Sequence, residues 1–242
     1  MPFLNAFEFS GLVTGGSEAY AILMLFGEKK NSAFVKICGL TRRANVVDCL
    51  AAEADAIGLN FYPKSKRFIT LEKARDILHE IPNSLMRVAL FVNAPRETIA
   101  IAIDSGLFHA VQLHGDETLE FCSDIRLLGL PVIRAVALRT AADLDLLKDH
   151  PADGFILDAF APDYGGSGHT CDWPLAALAI QRFPEKPILL AGGLDPSNVS
   201  SAMACVLPNG VDVASGVEES PGLKSSKLLK AFIDAAKKPI PY

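Results

Sequence analysis

Cys38, Gln112, His114 and Asp158 stand where apolar runs of this sequence end. Cys38 closes the run that starts at Phe34, His114 follows Ala110 to Leu113, and Asp158 follows Phe155, Ile156 and Leu157. A thiol, an imidazole and a carboxyl are groups that accept or donate protons at a reacting centre. Arg67 ends the stretch Tyr62-Pro63-Lys64-Ser65-Lys66-Arg67, and its planar guanidinium suits two-point capture of a carboxylate. Glycines mark a third kind of chemistry. Gly192-Gly193 and Ser215-Gly216 end two further apolar runs, where the lack of side chains lets backbone N–H groups close on a phosphate. Gly165-Gly166-Ser167-Gly168 reads as a flexible loop closing over the site, with Gly166 against the ligand.

To act together these residues need a scaffold that brings several strand ends to one rim. From Phe34 onward, short β-branched and apolar runs alternate with segments of helical periodicity, the pattern of repeated βα units. Strands are predicted at Phe34–Gly39, Ala56–Tyr62, Arg87–Val92, Ala110–His114, Val132–Leu138, Gly154–Phe160, Pro187–Gly192 and Val211–Ser215. Helices are predicted to begin near Arg42, Leu71, Pro95, Thr118, Thr140, Trp173, Ser197 and Ser225. Alternating pairs with no second compositional block predict a single closed (β/α)8 TIM barrel, an α/β fold, rather than an open doubly wound sheet. Such barrels take about 250 residues, and the chain has 242. Residues 1–33 carry Gly11, Gly15 and Gly16 and no sustained periodicity, so they read as an N-terminal extension to a barrel domain spanning 34–242.

Period-two alternation sorts the strand faces. Val35 and Ile37 face the helices, leaving Phe34, Lys36 and Cys38 inward; Gln112 and His114 face inward on the fourth strand, Ile156 and Asp158 on the sixth. The same parity points Asp212 inward beside Lys36. An unpaired buried charge is costly, so Lys36 and Asp212 are expected to form an ion pair across the barrel floor.

Each candidate also has a plain structural reading. Cys38 is then a small core residue, Asp158 a helix cap, His114 a satisfied structural histidine, and Lys64, Lys66 and Arg67 a solvated charge run. Composition narrows the function classes. Half the residues are hydrophobic and 21% are charged, as in a globular chain with a sizeable core, and the net charge of -5 offers no basic field for nucleic acid. Five cysteines without CxxC spacing suggest neither a disulfide framework nor a metal site, and fit reduced thiols in the cytoplasm. The apolar stretch Ala19 to Phe26 is too short to span a membrane and lacks the basic flank of a signal peptide.

Six ordered segments carry a resemblance: Lys36-Ile37-Cys38-Gly39-Leu40-Thr41, Phe61 to Arg67, Val111 to Glu117, Gly165 to Gly168, Ala191-Gly192-Gly193-Leu194 and Ser215-Gly216-Val217-Glu218. Together they resemble the phosphoribosylanthranilate isomerase family from residue 34 to about 236. The resemblance implies an Amadori rearrangement of N-(5-phosphoribosyl)anthranilate in tryptophan biosynthesis, with no metal or organic cofactor. It implies a phosphorylated small-molecule substrate, no nucleic acid or membrane partner, and a monomer or weak homodimer. It makes Cys38 the general base and Asp158 the general acid, with Arg67, Gln112 and His114 around the anthranilate. Gly166, Gly192, Gly193, Ser215 and Gly216 then bind the phosphorylated sugar. Nearby positive charge should favour the Cys38 thiolate, and burial should raise the Asp158 pKa. At the last helix the chain has Lys224-Ser225 where the family usually shows Lys-Asp, and Ser225 is expected to serve as the cap. The rivals are another phosphate-binding barrel, such as an epimerase or an aldolase using Lys36, and a catalytically inert sugar-phosphate sensor.

Overall fold

Barrel strands are covered on both faces, by helices outside and by the opposite wall inside, so they read as near-continuous apolar runs. The computed structural model describes residues 33–160 and 170–239. Its strands are β1 (Phe34–Cys38), β2 (Ala56–Asn60), β3 (Met86–Phe91), β4 (Ala110–Leu113), β5 (Val132–Leu138), β6 (Gly154–Ala159), β7 (Ile188–Leu190) and β8 (Gly210–Val213). They pair in parallel in chain order, and β1 pairs back to β8 to close the barrel. The (β/α)8 TIM-barrel expectation is met. β7 is shorter than predicted because Pro187 has no N–H to give to the ladder; its carbonyl still accepts from the Phe155 N–H at 2.8 Å.

The helices are α1 (Arg43–Ala51), α2 (Leu71–Leu78), α3 (Arg96–Asp104), α4 (Leu119–Arg126), α5 (Trp173–Arg182), α6 (Val199–Val206) and α7 (Ser226–Ala236). Thr70, Thr118 and Asp172 cap α2, α4 and α5, each side chain accepting from the backbone N–H three residues on. The α-helix expected from Thr140 is instead a 3-10 segment, Ala141–Leu147. Its buried residues, Leu144 and Leu147, lie three apart, which stacks them on one face of a three-residue turn, and Pro151 disfavours helical extension. Ser225 occupies the N-cap of α7, but its side chain makes no capping hydrogen bond. Ser226 instead donates to Asp48 at 2.7 Å, tying α7 to α1.

The predicted parity appears in the two cores. Val35, Ile37, Val111, Leu113, Phe155 and Leu157 pack in the outer layer with the helices. Val88, Ala110, Ile133, Ala135, Ile156, Leu189 and Ala191 fill the barrel interior. Among the described residues, no helix is long and apolar enough to cross a membrane. Barrel closure pairs Phe34 to Ile37 of β1 with Gly210 to Val213 of β8, and residues 1–32 lie outside the described residues. A chain lacking residues 1–32 is therefore expected to fold with a melting temperature within a few degrees of the full chain. Insoluble expression, or a much larger drop, would show that the extension packs as part of the fold.

Candidate active site

Cys38 is the last residue of β1, two positions above Lys36 on the same inward face. It packs against Leu90, Val92, Tyr62 and Ala214 and is 6% exposed. The expected ion pair lies below it: Lys36 Nζ donates to Asp212 Oδ1 at 2.8 Å, with both residues buried. The two sit opposite each other in the β1–β8 register, so the pair bridges neighbouring strands instead of spanning the floor. Burial pulls the Lys36 pKa down, but the Asp212 charge and then Cys38 outweigh it and hold the ammonium protonated. For Cys38 the balance runs the other way. Burial pushes the thiol above its ordinary value of 9.0, and the Lys36 and Lys224 charges only partly offset it. Positive charge alone does not deliver the expected thiolate.

Arg67 reaches this rim from the loop after β2, but its fork is taken. Arg67 Nε and Nη2 donate to the two oxygens of Glu218 at 2.8 and 2.6 Å. The captured carboxylate is the chain's own, which corrects the expectation of a free two-point clamp. Arg67 crosses directly over Gly39, where φ is +75° and a Cβ would fall 2.3 Å from Arg67 Cδ. Glycine is required there for both reasons. Lys64 and Lys66 are exposed.

Glu218 and its second partner, Lys224, had no role assigned from the sequence. They lie on a small antiparallel hairpin, β9 (Glu218–Ser220) and β10 (Leu223–Lys224), turning at Pro221-Gly222. Lys224 Nζ donates to Glu218 Oε1 and to the Ala214 carbonyl, each at 2.8 Å, and its side chain is fully buried. The only sequence signal was an acidic residue just past the eighth strand, and parity does not carry across a turn.

Across the chamber, β4 and β6 bring Gln112, His114 and Asp158 together. Gln112 is fully buried, its Nε2 lies 3.0 Å from His114 Nδ1, and His114 Nε2 lies 3.5 Å from Asp158 Oδ2. Burial, with Lys36 and Arg134 nearby, lowers the His114 pKa to about 4, so the ring is neutral. If Gln112 donates to Nδ1, the ring proton sits on Nε2, facing Asp158. The loop beyond is braced by Glu117, which pairs with Arg134 and accepts from the Gly115 and Asn93 N–H groups, both at 2.8 Å. Burial pushes Asp158 up from 3.8 to about 7, opposed by a hydrogen bond from the Ala159 N–H at 2.7 Å. The direction is the one the sequence called for.

Gly192 and Gly193 follow β7 with φ of +79° and +62°. A Cβ on Gly192 would lie 2.6 Å from the Ala159 N and 2.9 Å from Asp158 Oδ1, so this turn closes on the acid. Ser215–Val217 forms a 3-10 turn after β8, and Gly216 sits so close to Leu194 that a Cβ would meet its carbonyl oxygen at 1.9 Å. Gly166 and its neighbours lie outside the described residues. Among the described residues, no group of three or more His, Cys, Asp or Glu side chains is placed to hold a metal ion.

The family model for N-(5'-phosphoribosyl)anthranilate isomerase matches residues 35–235. The chain belongs to this family. It is 43% identical over 211 residues to the N-(5'-phosphoribosyl)anthranilate isomerase of Myxococcus xanthus, covering 85% of this chain and 97% of that one. The crystal structure of the Thermotoga maritima phosphoribosyl anthranilate isomerase matches with a TM-score of 0.78 at 42% identity, over 84% of this chain and 98% of that one. A phosphoribosyl anthranilate isomerase solved with reduced 1-(o-carboxyphenylamino)-1-deoxyribulose 5-phosphate matches with a TM-score of 0.74 at 38% identity, over the same shares.

In this phosphoribosylanthranilate isomerase fold, the raised Asp158 pKa has a cost in stability. A carboxyl with a raised folded pKa favours the fold fully below its unfolded pKa and loses that contribution as pH rises through the folded value. Between 3.8 and about 7 the difference corresponds to about 4 kcal/mol. Asp158→Asn has no charge to bury, so at pH 8 it should be more stable than wild type by up to about 4 kcal/mol, with little difference near pH 4. Denaturant unfolding at both pH values measures this. Equal stability at pH 8 would show that ionised Asp158 is fully compensated.

Proposed function

We propose that Cys38 and Asp158 are the base and acid of the isomerase reaction that family membership gives this chain, and that the ligand is a phosphorylated sugar bearing an anthranilate. The observation that carries the reading is a half-buried carboxyl on β6, which burial raises to about 7, placed three strands round the closed barrel from a buried thiol on β1. Asp158 gives its proton to the furanose ring oxygen; the C1–O bond breaks and an iminium forms. That cation acidifies the C2 hydrogen, the Cys38 thiolate removes it, and the electron pair left on C2 neutralises the iminium to an enolamine. A proton then moves from the C2 hydroxyl to C1, giving the ketone. Each turnover leaves Cys38 protonated and Asp158 ionised, so one proton returns from thiol to carboxylate before the next.

Arg67 binds the anthranilate carboxylate through Nη1, the amine outside the Glu218 fork, with Gln112 and His114 alongside. The backbone groups of Gly193, Ser215 and Gly216 hold the phosphate, and Gly192 and Gly166 line the sugar. The complexed relative's ligand carries the carboxyphenyl and phosphate ends that this division of labour needs. The aldolase alternative fails on chemistry: a Schiff base requires a neutral, reachable amine, whereas Lys36 is 1% exposed and held protonated.

Conservative substitutions separate catalysis from binding. Cys38→Ser should lower turnover about 10²-fold or more, and Asp158→Asn comparably, while product affinity moves far less because neither residue holds the phosphate. Near-wild-type turnover in both variants would remove them as acid and base. Turnover absent from the unmodified chain, with sugar-phosphate binding intact, would favour a sensor.

The pH profile is a separate test. With the thiol raised above 9.0 and the carboxyl near 7, the active form, thiolate plus carboxyl, is a minority tautomer of the singly deprotonated site. Its share is constant between the two pKa values and falls outside them. The kcat/KM profile is therefore expected to rise to about pH 7 and to fall only above pH 9. An acid limb near pH 4 would show Asp158 ionising like an exposed carboxylate.

A further inference from the structure

Lys36 is charged, buried and given no step in the reaction above, yet it lies at the electrical centre of the chamber. Its ammonium influences Cys38, His114 and Asp158 as well as its partner Asp212. Geometry shows how closely it approaches the thiol. On the neighbouring strand, Gly58 is paired with Cys38 in register. A Cβ built on Gly58 would meet Cys38 Sγ at 2.8 Å and Lys36 Nζ at 3.2 Å. The sulfur and the ammonium converge on the space that the missing side chain leaves.

We propose that Lys36 is the positioning residue of the general base: its ammonium is the counter-ion of the Cys38 thiolate, Asp212 tempers that attraction, and Gly58 supplies the room for the contact. The proposal rests on the reading of Cys38 as the base. The charged groups acting on the sulfur are Lys36 below it, Asp212 from β8, Lys224 from the hairpin, and Arg67 from the loop after β2. Among these, Lys36 exerts the largest electrostatic influence on the sulfur and shares the Gly58 space with it. Asp212 and then Cys38 hold the ammonium protonated against burial, so with Asp212 neutralised a Cys38 thiolate still pairs with it. Asp212 also repels the thiolate, so the two members of one ion pair act on the sulfur with opposite signs. A purely structural ion pair predicts no such opposition; losing either partner would only loosen the fold.

The experiment follows the pH dependence of Cys38 alkylation by iodoacetamide, quantified on the Cys38 peptide in the full-length chain, with kcat and KM alongside. Lys36→Met should raise the thiol pKa, slow alkylation at pH 8 about tenfold or more, and lower kcat with little change in KM. Asp212→Asn should do the reverse to the thiol, lowering its pKa and speeding alkylation at pH 7. The double variant Lys36→Met/Asp212→Asn leaves no unpaired buried charge, so it keeps the test open if Lys36→Met fails to fold; its thiol pKa should also rise. Gly58→Ala should weaken the same contact and raise the thiol pKa without altering any charge. Alkylation profiles that coincide with wild type in the foldable variants overturn the counter-ion role, even if turnover is lost. Failure of the underlying reading looks different: Cys38→Ser would retain turnover while the alkylation shifts still appear.

Discussion

The buried ion pair between Lys36 and Asp212 is the constraint around which the chamber is arranged. Removing two charges from water costs several kcal/mol each, and mutual attraction repays this only in good geometry. Here the geometry comes from backbone pairing, because residues opposite each other across the β1–β8 seam present inward side chains at the same height. The pair therefore sits where the barrel closes. Around it, Val88, Ile133, Ile156 and Leu189 fill the rest of the interior with apolar side chains. The fixed ammonium is felt at Cys38, His114 and Asp158.

A second buried charge cluster stands at the rim, and its logic differs. Arg67, Glu218 and Lys224 carry two positive charges against one negative, so the cluster keeps a net positive charge beside Cys38. Burial disfavours ionised Glu218, but the Arg67 hydrogen bonds and the Lys224 charge more than compensate and hold its pKa below the usual range. Burial lowers Lys224 despite Glu218. Arg67 is thus held by a carboxylate of the chain itself, which in the proposed binding mode reduces the side-chain entropy lost when a ligand carboxylate arrives. Rigidity of this kind depends on the β9–β10 hairpin and on the close approach of Arg67 to Gly39.

Much of this was legible in the sequence because strand parity is a local rule. Once β1, β4 and β6 were placed, the inward sides of Cys38, His114 and Asp158 followed, and the Lys36–Asp212 contact came from parity plus the cost of an unpaired charge. What was not legible depended on chain direction after a strand ends. Glu218 and Lys224 meet only because Pro221-Gly222 reverses the backbone, and the Arg67 fork closes on Glu218 across 151 residues of separation. The segment after Thr140 misled for a local reason. Its buried leucines, Leu144 and Leu147, fit a helical stripe or a three-residue turn equally well.

One environment must support two opposite protonation states, and burial cannot do this alone. It raises the pKa of a carboxyl and of a thiol alike, which helps the acid and harms the base. The remedy visible here is asymmetry of charge. On the Cys38 side stand Lys36, Lys224 and Arg67, all able to stabilise a thiolate. On the Asp158 side the immediate contacts are a neutral imidazole and one backbone N–H. The Lys36 charge is the least of the influences on the carboxyl and the largest electrostatic one on the thiol. In the proposed reaction substrate adds to that asymmetry in the right order: the iminium forms only after Asp158 gives up its proton, and it brings a further positive charge to the face from which the thiolate acts.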